Sequence, residues 1–157
     1  MAGAPMSPDR ALAITRGVFV GLLVVQLFFG MAAVWLIGHR PAPDTAAQHP
    51  WGLFVTGVIL LIVLTVAGYV VRQRLYQRDR LPGGAVAPRM YLRGNLMMLV
   101  PLAIMGVAGL VLAIISGALF PALLITLAAL ILQVVNMPTG DPLDPSRYKN
   151  GKTPYSA

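Results

Sequence analysis

RQRLYQRDRLPGGAVAPRMYLR, residues 72–93, carries six of the twelve basic residues of the chain and parts two long apolar blocks. Arg72, Arg74, Arg78, Arg80, Arg89 and Arg93 cannot lie in hydrocarbon without a partner, so the apolar runs on either side must end at water or headgroups. Inside the stretch, Leu81-Pro82-Gly83-Gly84 breaks a helix, although good helix formers reach Arg78. A charge-free run, residues 51–71, precedes it and another, 94–115, follows it. At about 1.5 Å per residue, each covers the roughly 30 Å hydrocarbon core of a bilayer as a helix.

Two further apolar runs lie outside these, at residues 17–38 and 119–135. The first is too long for the roughly 7–15-residue core of a cleaved secretory signal and reads as a spanning helix. The last is short, and Asn136, Pro138 and Gly140 stop it. The expected fold is therefore all-α: a single membrane domain, a four-helix bundle of two hairpins. Composition agrees, with 57% hydrophobic and only 11% charged residues and a mean hydropathy of +0.76. A water-soluble globule carries about a quarter charged residues.

Charge sets the orientation. Lys and Arg number two before the first run, one between the first and second, six in the 72–93 connector, none near Ser116, and three after residue 141. Both termini and the connector are expected on the cytoplasmic side of the inner (plasma) membrane. The Pro-rich segment 39–50 becomes an outer loop, with Trp35 and Trp51 as its aromatic belt and Tyr69, Tyr76 and Tyr91 as the opposite belt. Residues 141–157, rich in Pro, Asp and Lys, are expected to form a disordered tail. Thr15-Arg16-Gly17 and Leu92-Arg93-Gly94 open the two hairpins alike, but the interiors do not align as a repeat should.

Chemistry is sparse. There is no Glu, the five Asp residues fall outside the apolar runs, and there is no Cys. An intramembrane enzyme would need a nucleophile with its base, and none is present, so no catalytic residue and no cofactor are expected. His39, Asp44 and His49 match no metal-ligand spacing, and Met97, Met98 and Met105 read as apolar filler, so no metal site is expected. The net charge of +7 lacks the interleaved aromatics of a nucleic-acid surface, and the arginines are instead expected to meet anionic lipid headgroups or a partner.

Helices in lipid associate through small side chains and polar groups. Gly106, Gly109, Ala113 and Gly117 share one face of the third run with Asn95, and Ala122, Thr126, Ala129 and Gln133 share one face of the fourth. These two stripes are expected to meet. Gln26, Gly30 and Ala33 form a line on the first run, Gly57 and Gly68 another on the second, and Gly17-Gly21 is a GxxxG pair expected to pack within the chain. Gln26 and Gln133 should point inward, because an unsatisfied amide in hydrocarbon costs several kcal/mol. Pro101 removes the donor that would bond the Met97 carbonyl and is expected to kink its helix.

Arg93, Pro101, Gly109, Gly117, Gln133 and Pro138 give the second half a resemblance to the carboxy-terminal hairpin of small four-span bacterial inner-membrane proteins of uncharacterised role. That hairpin is also loosely similar to the proteolipid hairpin of rotary ATP synthases. The proteolipid works through a mid-membrane carboxylate, which this chain lacks. Small multidrug exporters are similar in span count, but they depend on a Glu in the first span, where this chain has Gln26 as its only strongly polar residue. What remains implied is a non-enzymatic structural or accessory subunit that packs against other membrane subunits, itself or lipid. The alternative is a small oligomeric transporter or channel lined by Gln26, Thr126 and Gln133.

Overall fold

The computed structural model describes residues 6–39, 51–81, 84–116, 120 and 122–144. They form four α-helices in chain order, α1 (Pro8–Gly38), α2 (Trp51–Arg78), α3 (Pro88–Ser116) and α4 (Ala122–Val135), followed by one 3-10 turn, Asp141–Leu143. Among the described residues the protein is all-helical apart from an isolated bridge between Arg80 and Val86. Three helices, α1, α2 and α3, are long and apolar enough to cross a membrane. α4, with 14 residues, is about 21 Å long.

Local chemistry moves several ends from where hydropathy alone places them. α1 starts at Pro8 and not at residue 17, because Ser7 caps it: the serine hydroxyl accepts the Arg10 N–H at 3.3 Å, Pro8 supplies a preset first turn, and Asp9 meets the helix dipole. α3 likewise starts on Pro88, six residues ahead of the apolar run that begins at 94. A proline at a helix start gives up only an N–H that had no intrahelical acceptor. α4 is described over Ala122–Val135. α2 runs to Arg78, and the Leu81 N–H and Gly84 N–H then close the turn on the Ala85 and Leu81 carbonyls.

α3 is the centre of the molecule, packed against each of the other three helices. Half of its most apolar window is buried, against 11% for α1 and for α2. Tyr76 meets Gly94 and Gly68 meets Met98, so α2 runs antiparallel to α3; Ala122 meets Gly109 and the Thr126 hydroxyl donates to the Gly106 carbonyl, so α4 does too. α3 stays α-helical through Pro101. The Met97 carbonyl that Pro101 leaves without its usual donor faces Gly68, where an added Cβ would stand 3.2 Å from that oxygen.

Polarity is inverted relative to a water-soluble fold. Phe28 and Met31 on α1, Ile62 and Val66 on α2, Ile104 and Ile115 on α3 and Ile131 and Val135 on α4 are all exposed. Thr15, Gln26, Asn95, Thr126 and Gln133 are buried. Water would penalise the first arrangement and leave nothing to enforce the second, whereas lipid favours both. These are the helices of a membrane protein.

Candidate functional site

Two polar regions emerge, one at the depth of the apolar helices and one at the arginine-rich end. In the first, Gly106 is the meeting point. Its missing side chain admits the Gln26 amide, for an added Cβ would stand 2.6 Å from Nε2, and its carbonyl accepts the Thr126 hydroxyl at 2.9 Å. Gln26 Nε2 also donates to the Ala103 carbonyl at 3.2 Å. One turn along α3, Gly109 lies against Thr126 and the Ala122 carbonyl, and Ala113 is wholly buried beyond it. The α3 and α4 stripes therefore do meet, and Gln26 brings α1 to the same spot.

Gln133 stands apart. It is fully buried on the face that carries Thr126 and Ala129, yet neither end of its amide has a hydrogen-bond partner among the described residues. The Gln26 Oε1 is also unpartnered. The Gly17-Gly21 pair, expected to pack within the chain, does not pack among the described residues: an added Cβ at either meets nothing within 4 Å of them. α1 turns that face outward because its buried line is Ala11, Thr15, Phe19, Gln26 and Ala33. Gly117 lies outside the described residues.

The arginine-rich end is built around two stacked phenols. Tyr76 and Tyr91 lie with ring centroids 6.1 Å apart and planes 15° apart. Their exposure is 4% and 1%, so they do not belong to an interfacial belt as expected; only Tyr69 remains exposed. They turn inward because each hydroxyl finds a partner there. Tyr76 accepts from Asn95 Nδ2 at 2.8 Å, and Tyr91 accepts from the Gly140 N–H at 3.2 Å.

Residues 141–144 also depart from the disordered tail expected of them. Gly140 turns with φ +85, which a side chain tolerates poorly, and Leu12 packs at its Cα. Pro142 then accepts the Val86 N–H at 2.8 Å, and Leu143 is buried with Ala11, Tyr76, Val86 and Tyr91. Leu143, the Pro142 carbonyl and the Gly140 N–H hold a segment whose composition reads as solvent-loving. Arg16 reaches the Pro138 and Thr139 carbonyls at 3.4 and 3.5 Å, tying α1 to the same segment.

Comparison with known proteins finds no match: no protein family, no characterised protein and no solved structure.

Of the six connector arginines, only Arg72 enters a built site. Its stem crosses Gly94, its guanidinium lies 5.6 Å from the Tyr69 ring centroid, and it lines a polar cleft of about 190 Å³ with Tyr76, Tyr91, Asn95 and the 135–139 segment. Arg74, Arg78, Arg80, Arg89 and Arg93 are exposed. Arg74 with Arg78, and Arg89 with Arg93, are spaced by one helical turn on α2 and α3. At the other end Trp51 packs edge-on to Phe120, and the His39 Nδ1–H donates to the Trp35 carbonyl, 2.8 Å away. Asp44 and His49 lie outside the described residues, as does Arg40.

The cleft was missed from the sequence although one signal pointed to it. Arg72 and Tyr76, and Tyr91 and Asn95, are both pairs four residues apart, so each pair shares a helix face flanking one turn. The contribution of the 137–143 segment left no such trace.

Proposed function

We propose that this chain is a small, non-enzymatic structural or accessory subunit of a bacterial inner membrane, spanning it four times as two hairpins with both termini and the arginine connector in the cytoplasm. It packs against a larger membrane assembly or organises lipid. The observation that carries this reading is the division of its surface: exposed apolar side chains clothe the helices, while Arg74, Arg78, Arg80, Arg89 and Arg93 stand exposed around the α2–α3 turn. Such a girdle suits anionic headgroups or an acidic partner surface, each arginine contributing on the order of 1 kcal/mol near a charged membrane. The described residues outside the helices amount to turns and short segments, leaving little mass for a catalytic domain.

The orientation can be tested directly. The chain has no cysteine, so each introduced thiol reports alone. In intact cells an impermeant maleimide should label Thr45→Cys and spare Arg89→Cys until the membrane is opened. Labelling of Arg89→Cys in intact cells reverses the topology and removes the cytoplasmic girdle.

The unpartnered Gln133 amide and Gln26 Oε1 favour a second reading, a small oligomeric transporter or channel. In a single chain Gln26, Thr126 and Gln133 are all buried and two of them bond backbone carbonyls, so a path along them would need the helices to part. Gentle purification separates the two readings: a stable complex with other subunits supports the accessory role, and a homo-oligomer that leaks small solutes from vesicles supports transport.

A further inference from the structure

We propose that the seam between α2 and α4 holds one anionic phospholipid, with its phosphate in the cleft beside Arg72 and a hydrocarbon chain in the groove leading away from it. The inference rests on the membrane reading above and goes beyond it by naming one site and one ligand class.

The seam changes character along its length in the way an amphiphile does. A groove of about 550 Å³ runs between the helices, lined by Val58, Ile62 and Val66 of α2 and by Ala128, Ile131 and Leu132 of α4, and its walls are almost wholly apolar. Continuing each helix by one or two turns on the same face reaches Tyr69 and Arg72 on α2 and Val135 and Asn136 on α4. Arg72, Val135 and Asn136 line the polar cleft. The two cavities thus follow one another along the same pair of helices, apolar first and polar at the arginine-rich end.

The cleft itself suits a phosphodiester. Arg72 is half-buried, with its stem against Gly94 and its guanidinium 5.6 Å from the Tyr69 ring centroid. Tyr91 uses its oxygen to accept from Gly140, which leaves its O–H to donate. A second guanidinium stands close by, for Arg16 reaches the carbonyls of Pro138 and Thr139, both of which line the cleft. Val135 and Met137, 74% and 50% exposed, form an apolar lip on the cleft. A free inorganic anion has no use for that lip, whereas a glycerol backbone and acyl ester would cover it.

The test places the full chain in nanodiscs of mixed phosphatidylglycerol and phosphatidylcholine, extracts it mildly, and counts retained lipids by native mass spectrometry. The wild-type chain should keep one phosphatidylglycerol in preference to phosphatidylcholine. Arg72→Ala should lower that retention about fivefold or more, and Arg74→Ala, which removes an exposed charge of the same sign, less than about twofold. Ala128→Phe, filling the groove and leaving the cleft intact, should also lower it, with helical circular dichroism unchanged in all three. Equal losses in Arg72→Ala and Arg74→Ala overturn the site and leave the membrane reading standing. So does a wild-type chain whose melting temperature in detergent rises with inorganic phosphate as much as with phosphatidylglycerol while Ala128→Phe retains lipid normally, which assigns the cleft to a free anion. Recovery of the wild-type chain as a monomer in buffer without detergent removes the membrane reading itself.

Discussion

The middle of the molecule and its arginine-rich end solve the same problem, holding helices to α3, with opposite materials. In the middle, glycines at 106 and 109 bring backbones close and let an amide and a hydroxyl bond carbonyls across the gap. At the end, large side chains do it, as two stacked tyrosines and Leu143 fill a shared core closed by the segment after α4. The difference follows the solvent. At lipid depth, burying more apolar surface gains little, so closeness and hydrogen bonds decide. Near water, aromatic and aliphatic burial again lowers the free energy, and phenols can serve both demands.

The sharpest way to break this contrast is to add bulk where closeness matters. Gly109→Leu should cost about 3 kcal/mol or more, because its neighbours at 2.6 and 3.1 Å are the Thr126 hydroxyl and the Ala122 backbone carbonyl, and the latter cannot move aside. Gly57→Ala, which meets only the terminal methyl of Ile125 at 2.5 Å, should cost far less. Reversible unfolding in mixed micelles checks the ranking, and equal costs at the two sites refute the close-packing account.

Next in size is Leu143→Asp. Placing a carboxylate among Ala11, Tyr76, Val86 and Tyr91 should release the 140–144 segment at a cost of about 2 kcal/mol, from the lost apolar burial alone. The near-ultraviolet dichroism of the tyrosine pair should fall while helix content holds. An unchanged tyrosine signal would show that the segment does not organise this end.

Gln133→Met separates a packing amide from one that serves a solute. With neither end of the amide bonded, removing it should stabilise the protein by about 1 kcal/mol, whereas Gln26→Met, which gives up the bond to Ala103, should destabilise it. The smallest effect belongs to Gly17→Ala and Gly21→Ala. Nothing crowds either position, so each should stabilise α1 by about 0.5 to 1 kcal/mol, read as a rise in melting temperature. Destabilisation there would reveal a neighbour beyond the described residues.

The sequence carried the middle of the molecule more fully than its end. Gly106, Gly109, Ala113, Thr126 and Gln133 announce their shared faces through spacings of three and four, because helical periodicity survives in any solvent. Ends of helices were set by single residues that hydropathy ignores: Ser7 and Pro8 extended α1, and Pro88 extended α3. The tail segment was illegible for another reason. Its hold depends on Leu143 and on backbone groups of Pro138, Thr139 and Pro142 meeting residues far away in the chain, and backbone carbonyls leave no mark in composition.

The measurement that bears most directly on the inverted polarity is the accessibility of single spin labels in a lipid bilayer to oxygen and to a water-soluble nickel chelate. Labels replacing Phe28, Ile62 and Ile104 should relax with oxygen and ignore the chelate, while labels replacing Arg78 and Arg89 should do the reverse. Chelate access at Phe28, Ile62 or Ile104 equal to that at Arg89 would mean that these faces meet water, and the account of a lipid-clothed protein would be wrong.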